Sequence, residues 1–184
     1  MRRRWFAVAG LLAACAPLAA LQGQRPLSLA VGGGVSLPQG GWSDGVTSAG
    51  WNALAALVLS THMQPLGLRL DAAYDQFAYS DAAQTALGGA GNQSMISGTL
   101  NVTYRLPAAG SPMSPYLISG LGAYHGRCSR GPACDGATRY GWNVGLGTKL
   151  HLVGVRSFLE ARYHRTERAG RDVNFFPITL GLML

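Results

Sequence analysis

His164-Arg165-Thr166, with Glu160 and Glu167 close by, brings together the residue types of a hydrolase. Such chemistry needs a nucleophile, a base within hydrogen-bond reach and a third group that orients the base. Thr166, His164 and a glutamate are of the right kinds. A second reading competes. His164 ends the stretch SFLEARYHR, 157–165, in which Phe158, Glu160, Arg162 and His164 share one face and Ser157, Leu159, Ala161 and Tyr163 the other. Side chains in a strand alternate in this way. On that reading Glu160, Arg162 and His164 join Arg69, Asp71, Asp75, Arg105, Lys149 and Arg156 in an interior network of opposite charges. Buried charges persist only when paired and hydrogen-bonded. The network reading is preferred, so no catalytic, cofactor-binding or metal-ligating residue is assigned.

Two other groups carry chemistry. Cys128 and Cys134 lie in HGRCSRGPACDG. In an exported chain such a pair reads as a disulfide, and closing so short a loop is worth roughly 2–3 kcal/mol. A zinc site is the competing reading, with His125 nearby, but zinc prefers closer cysteines and more ligands. Arg127, Arg130, Arg139, Arg165, Arg168 and Arg171 cluster in and directly beside two polar connections. Guanidinium groups take phosphate bidentately. The plainer reading is a solvated basic loop surface.

The elements that position these residues begin after a leader. MRRR followed by WFAVAGLLAACAPLAAL is a basic segment and an apolar one, the pattern of a secretory signal over 1–22. Cleavage sites are offered by Leu18-Ala19-Ala20 and the LQGQ that follows. Leu12-Ala13-Ala14-Cys15 is an alternative that would lipidate Cys15. The net charge is +7, and without Arg2, Arg3 and Arg4 it is +4. The basic balance is therefore partly a targeting feature, and nucleic acid is not an expected partner. Past residue 22 no apolar run reaches the roughly 18 to 20 residues of a membrane helix.

Eight segments alternate with period two: 27–37, 50–61, 66–77, 93–106, 115–125, 139–151, 155–165 and 174–184. Each is near or above the roughly nine to eleven residues of a tilted membrane strand, and no helical period appears. The connections 38–49, 78–92, 126–138 and 166–173 are long and polar, whereas 62–65, 107–114 and 152–154 are shorter. Such alternation is expected when every second turn faces the other side of a membrane. One face of each segment is apolar and nearly free of charge. Leu66, Leu68, Leu70 and Ala72 oppose Arg69, Asp71 and Asp75, and Ile96, Leu100 and Val102 oppose Ser97, Thr99 and Asn101. Trp51, Tyr74, Tyr124, Tyr140, Trp142, Tyr163 and Phe176 are expected on the apolar faces beside the long loops, and Tyr104 and Tyr116 beside the short turns. Two aromatic rings around an aliphatic band form the girdle of an outer-membrane barrel. A soluble barrel with an apolar interior is the alternative.

The expectation is an all-β, eight-stranded antiparallel up-and-down transmembrane β-barrel over 27–184. Its interior is just wide enough for side chains to fill. Gly32, Gly34, Gly145 and Gly147 would make room for Arg and Tyr from across the barrel, and Phe158, Phe175 and Leu121 would pack inside.

With its leader, its eight amphipathic strands and a last strand FFPITLGLML, the chain resembles the small outer-membrane β-barrel family of OmpA- and OmpX-type barrels. The family pattern usually ends on an aromatic residue, and Leu184 departs from it. The resemblance implies an integral outer-membrane protein, the N-terminus periplasmic and the long loops outside. Implied partners are outer-membrane lipid, including lipopolysaccharide, and the barrel-assembly machinery, with the protein a monomer. That family includes tethers, adhesins and immune-evasion proteins, so the fold does not name an activity. A structural or surface-interaction role without catalysis is expected. The alternatives are a narrow passive channel and a lipid A-modifying hydrolase. Lipid A deacylases are also eight-stranded barrels, but their His-x-Ser motif faces lipid. Here Thr166 replaces the serine and His164 is expected to point inward.

Overall fold

The structure is a computed structural model that describes residues 27–40, 47–59, 65–86, 88–108, 111–129, 136, 138–152, 154–166 and 172–184. The leader and Cys15 lie outside the described residues. Eight antiparallel strands follow in chain order: β1 (Leu27–Gln39), β2 (Thr47–Leu59), β3 (Leu66–Tyr79), β4 (Asn92–Arg105), β5 (Met113–Cys128), β6 (Thr138–Leu152), β7 (Val155–Thr166) and β8 (Val173–Met183). Each pairs with the next, and β8 returns to β1 to close the barrel. The closing register runs from Ala30 opposite Met183 to Gln39 opposite Asn174. Closure leaves no unpaired edge, which lets a sheet stand in hydrocarbon with every backbone group satisfied.

The two faces are inverted relative to a water-soluble protein. On β4, Ile96, Leu100 and Val102 are exposed while Ser97, Thr99 and Asn101 are buried. Leu100, Leu146 and Leu180 are each about 60% exposed, whereas Glu160 is 2% exposed. Apolar surface this continuous is stable only where lipid replaces water. The chain is therefore a transmembrane barrel with its polar residues inside.

Several expectations need correction. Strand β5 has the opposite face inward. Tyr116, Ile118 and Tyr124 are buried, and Leu121 is 71% exposed. Leu121 pairs with the outward Leu100, and directly paired residues must share a face. This strand is apolar on both sides, so its alternation carries no polar marker. The turn-side girdle is correspondingly thin: Tyr104 faces outward, but Tyr116 does not. At the long-loop end four aromatics are outside and paired, with ring centroids 5.3 Å apart for Trp51 and Tyr74 and 5.7 Å apart for Trp142 and Tyr163, whereas Tyr124, expected among them, is inside.

The connections also differ. The strands extend past their expected ends on the long-loop side, so the connections there shorten and 167–172 is no longer than 60–65, although each connection expected to be long is still longer than the turns next to it in the chain. Between β3 and β4 lies a short helix, α1 (Asp81–Ala86). Ser80 Oγ accepts from Ala83 N at 3.3 Å, capping its first turn. One and a half turns is too short to show a helical period in sequence.

Candidate functional site

The lumen holds the chemistry. Strand β3 presents Arg69 and Asp71 inward, and β7, on the opposite wall, presents Glu160 and Arg162. The two pairs are charge-reversed and meet across the barrel. Arg69 Nε donates to Asp71 Oδ1 at 2.7 Å, and its Nη1 and Nη2 donate to Glu160 at 2.7 and 3.2 Å. Arg162 Nη2 donates to Asp71 Oδ2 at 2.7 Å and its Nε to Glu160 Oε1 at 2.5 Å. The result is a closed ring of two guanidinium and two carboxylate groups with no net charge. All four residues are buried.

Neighbours satisfy the remaining oxygens. Tyr116 OH donates to Glu160 Oε2 at 2.7 Å. Asn101 Nδ2 donates to Asp71 Oδ2 at 3.1 Å, and Asn143 Nδ2 to Asn101 Oδ1 at 2.9 Å. Arg69 also lies 5.6 Å from the Phe158 ring centroid, a cation–π contact. A buried ion pair repays its desolvation only with this kind of complete hydrogen bonding.

Asp75 sits apart from the ring and accepts from Ser36 Oγ at 2.5 Å. Ser36 is tied to Asn52, and Asn52 Oδ1 accepts from Thr179 Oγ1 at 2.9 Å. Toward the long-loop end the lumen turns apolar, with Phe77, Met95, Tyr124, Val173 and Phe175 in one cluster. His164 stacks on Phe175 with centroids 4.8 Å apart, and its Nδ1 is 3.0 Å from Tyr124 OH. A pocket of about 20 Å³ lies at mid-lumen, room for about one water.

Of the nine charged or titratable residues expected in the network, Arg69, Asp71, Glu160 and Arg162 form the ring, while Asp75 and His164 are buried in flanking layers. Arg105, Lys149 and Arg156 do not join them. They sit at the short-turn end, where Arg105 and Arg156 are exposed. Tyr116, Asn101, Asn52 and Ser36 are essential partners that the sequence does not single out. Tyr116 had been expected outside. The hydrolase constellation is not assembled. Glu160 is held by two arginines and a tyrosine, His164 faces the lumen, and the buried Thr166 Oγ1 has no partner among the described residues. Glu167 lies outside them.

The glycines act locally rather than across the barrel. Gly147 is paired with Tyr116, and a Cβ at Gly147 would stand 2.5 Å from Tyr116 Cζ. Gly145 is likewise paired with Arg162, whose Cγ would be 2.7 Å away. Gly147→Ala is expected to lower stability by about 1–3 kcal/mol, because it pushes the Tyr116 hydroxyl off Glu160. Urea unfolding in detergent micelles measures this, and an unchanged midpoint would exclude the packing role.

No protein-family model matches the chain, and no curated protein matches it in sequence. Solved structures do. Neisserial surface protein A (NspA) superposes with a TM-score of 0.58 at 13% identity, over 89% of this chain and 99% of that one. A major outer membrane protein from Thermus thermophilus gives 0.55 at 14%, over 85% and 98%. The chain has the fold of the small eight-stranded outer-membrane β-barrels. The outer membrane enzyme PagL gives 0.49 at 16% identity, over 86% and 98%. Identity this low speaks to fold alone, so none of these barrels lends this one an activity.

In the outer-membrane barrel described here, the basic rim is only partly within the described residues. Arg127 is exposed at the end of β5, and Arg165, also exposed, pairs with Asp172. Arg130, Arg168 and Arg171 lie outside the described residues. Cys128 is disulfide-bonded, and Cys134 lies outside the described residues.

Proposed function

We propose that this outer-membrane barrel is a non-enzymatic surface protein whose filled lumen supports extracellular loops. The observation that carries the reading is the neutral ring of Arg69, Asp71, Arg162 and Glu160. It spans the lumen from one wall to the other, and the pocket beside it is only about 20 Å³. A catalytic or conducting barrel needs reactive or solvated groups where this one has mutually saturated ones. On this reading the N-terminus is periplasmic and the long-loop end faces outward. Arg127, Arg130, Arg165, Arg168 and Arg171 meet the phosphates of lipopolysaccharide, and Cys128 pairs with Cys134 to staple the third outer loop. The protein is delivered by the barrel-assembly machinery and works as a monomer without a cofactor.

Planar-bilayer recording tests the plug. The purified barrel is expected to give little steady current, and stable open-channel steps would move the assignment to a passive channel. The hydrolase alternative is tested separately. His164→Ala is expected to leave the acylation pattern of lipid A unchanged when cells expressing each form are compared by mass spectrometry.

A further inference from the structure

Asp75 breaks the rule that the ring obeys. Asp71 and Glu160 each face two guanidinium groups. Asp75, only 2% exposed, makes no ion pair among the described residues. Ser36 Oγ donates to its Oδ1 at 2.5 Å, and its Oδ2 has no partner among them. Arg162 is engaged by Asp71 and Glu160. His164 stacks on Phe175 and meets Tyr124 OH through Nδ1, not Asp75. The ring is neutral by itself, so the layer that holds Asp75 carries one uncompensated negative charge.

Asp75 faces the mid-lumen pocket of about 20 Å³, which Asn52 and Ser97 also line. Asn52 is opposite Asp75 on β2, and Ser97 is its diagonal neighbour on β4. Diagonal neighbours on one face lie about 7–8 Å apart, a gap that one small particle between two side-chain oxygens closes. Ser97 is 4% exposed, yet its hydroxyl makes no hydrogen bond among the described residues. Asn52 Oδ1 accepts from Thr179 Oγ1 and keeps a second lone pair. Three oxygen donors and one unmatched charge therefore border a space about the size of a water. A buried carboxylate is stable only when it is matched, and oxygen donors suit a hard cation. We propose that this pocket is a binding site for one desolvated alkali-metal cation, with Asp75 as the charged ligand and Ser97 and Asn52 as neutral ones. A single unmatched carboxylate selects a monovalent ion, since a divalent one would leave positive charge beside Arg162. The volume admits sodium without its waters and excludes an organic ammonium. The site lies inside the barrel wall, and it does not depend on what the basic outer rim binds.

The test uses the full chain folded in maltoside micelles at mildly alkaline pH, where protons compete least. It is unfolded by urea in sodium chloride or in choline chloride of equal ionic strength. Choline is too large for the pocket. A ligand that binds only the folded state raises the unfolding midpoint with its concentration. The midpoint is expected to rise saturably with sodium and not with choline. Asp75→Asn should abolish the response, with the folded state confirmed by heat-modifiable gel mobility. Ser97→Ala should raise the sodium concentration needed for half the effect by roughly tenfold. Should Asp75→Asn fail to fold, Ser97→Ala alone carries the comparison. Equal midpoints in the two salts, a sodium response that survives in Asp75→Asn, or an unchanged half-point in Ser97→Ala would each overturn the site. A midpoint that rises with acid and ignores sodium would overturn it too, and would give the pocket to a proton on Asp75.

Discussion

Replacing Glu160 with alanine is expected to destabilise the folded barrel by about 3–5 kcal/mol. Glu160 accepts from Arg69 through both terminal nitrogens, from Arg162 Nε and from Tyr116 OH. Its removal leaves two buried guanidinium groups to share Asp71 alone, and it strips the Tyr116 hydroxyl of its acceptor. The loss measures an uncompensated buried charge more than it measures the strength of the ring. Removing Arg69 along with Glu160, as Arg69→Met with Glu160→Leu, should therefore cost clearly less than the two single changes added together. That double variant leaves Arg162 paired with Asp71 at 2.7 Å, a neutral remnant. A double-mutant cycle from urea unfolding in vesicles gives both quantities. A loss under about 1 kcal/mol for Glu160→Ala, the size of a surface ion pair, would mean that water reaches the ring and that the lumen is not sealed.

Leu100→Arg has the second large effect, and it tests the outer wall. Leu100 lies mid-strand on β4, 60% exposed, between the outward Leu70 and Leu121 on its neighbours. At the bilayer midplane an arginine on the lipid face costs about 2–4 kcal/mol. The same change on the surface of a soluble protein is worth about ±0.5 kcal/mol. Tyr140, 83% exposed beside the long loops, supplies the control, because Tyr140→Arg near the interface should cost only about 0–1 kcal/mol. Unfolding of both variants in phosphatidylcholine vesicles reads the difference. Equal costs at the two heights would remove the depth dependence that a membrane imposes.

These effects separate what is legible in the residues from what is not. Strands β3, β4 and β7 announce their faces because charged or hydrogen-bonding side chains recur on one side while the middle of the other is aliphatic. The segment Arg69-Leu70-Asp71 and the segment Glu160-Ala161-Arg162 even carry the complement of one another. Strand β5 has no such marker, and Tyr116 and Leu121 are each plausible on either face when read alone. Only the register against Leu100 fixes them, since paired residues must look the same way. That single parity decides whether Tyr116 anchors in the membrane interface, as its strand's alternation alone suggests, or donates to Glu160, as it does.

Arg105, Lys149 and Arg156 show the same limit along the barrel axis. Their alternation places them on the inward side, yet height in a tilted, staggered barrel depends on the offset between strands, which is summed around the closed sheet. Three residues that read as members of one network therefore sit at its mouth.

What the sequence by itself determined is the two-faced strand, its number and its inversion, because side-chain alternation and the choice of solvent for each face are local properties of the chain. Which charges meet, which tyrosine completes them and where the lumen stays open were decided only by closure of the barrel. Those contacts join strands far apart in the chain, and no local pattern carries the distance between them.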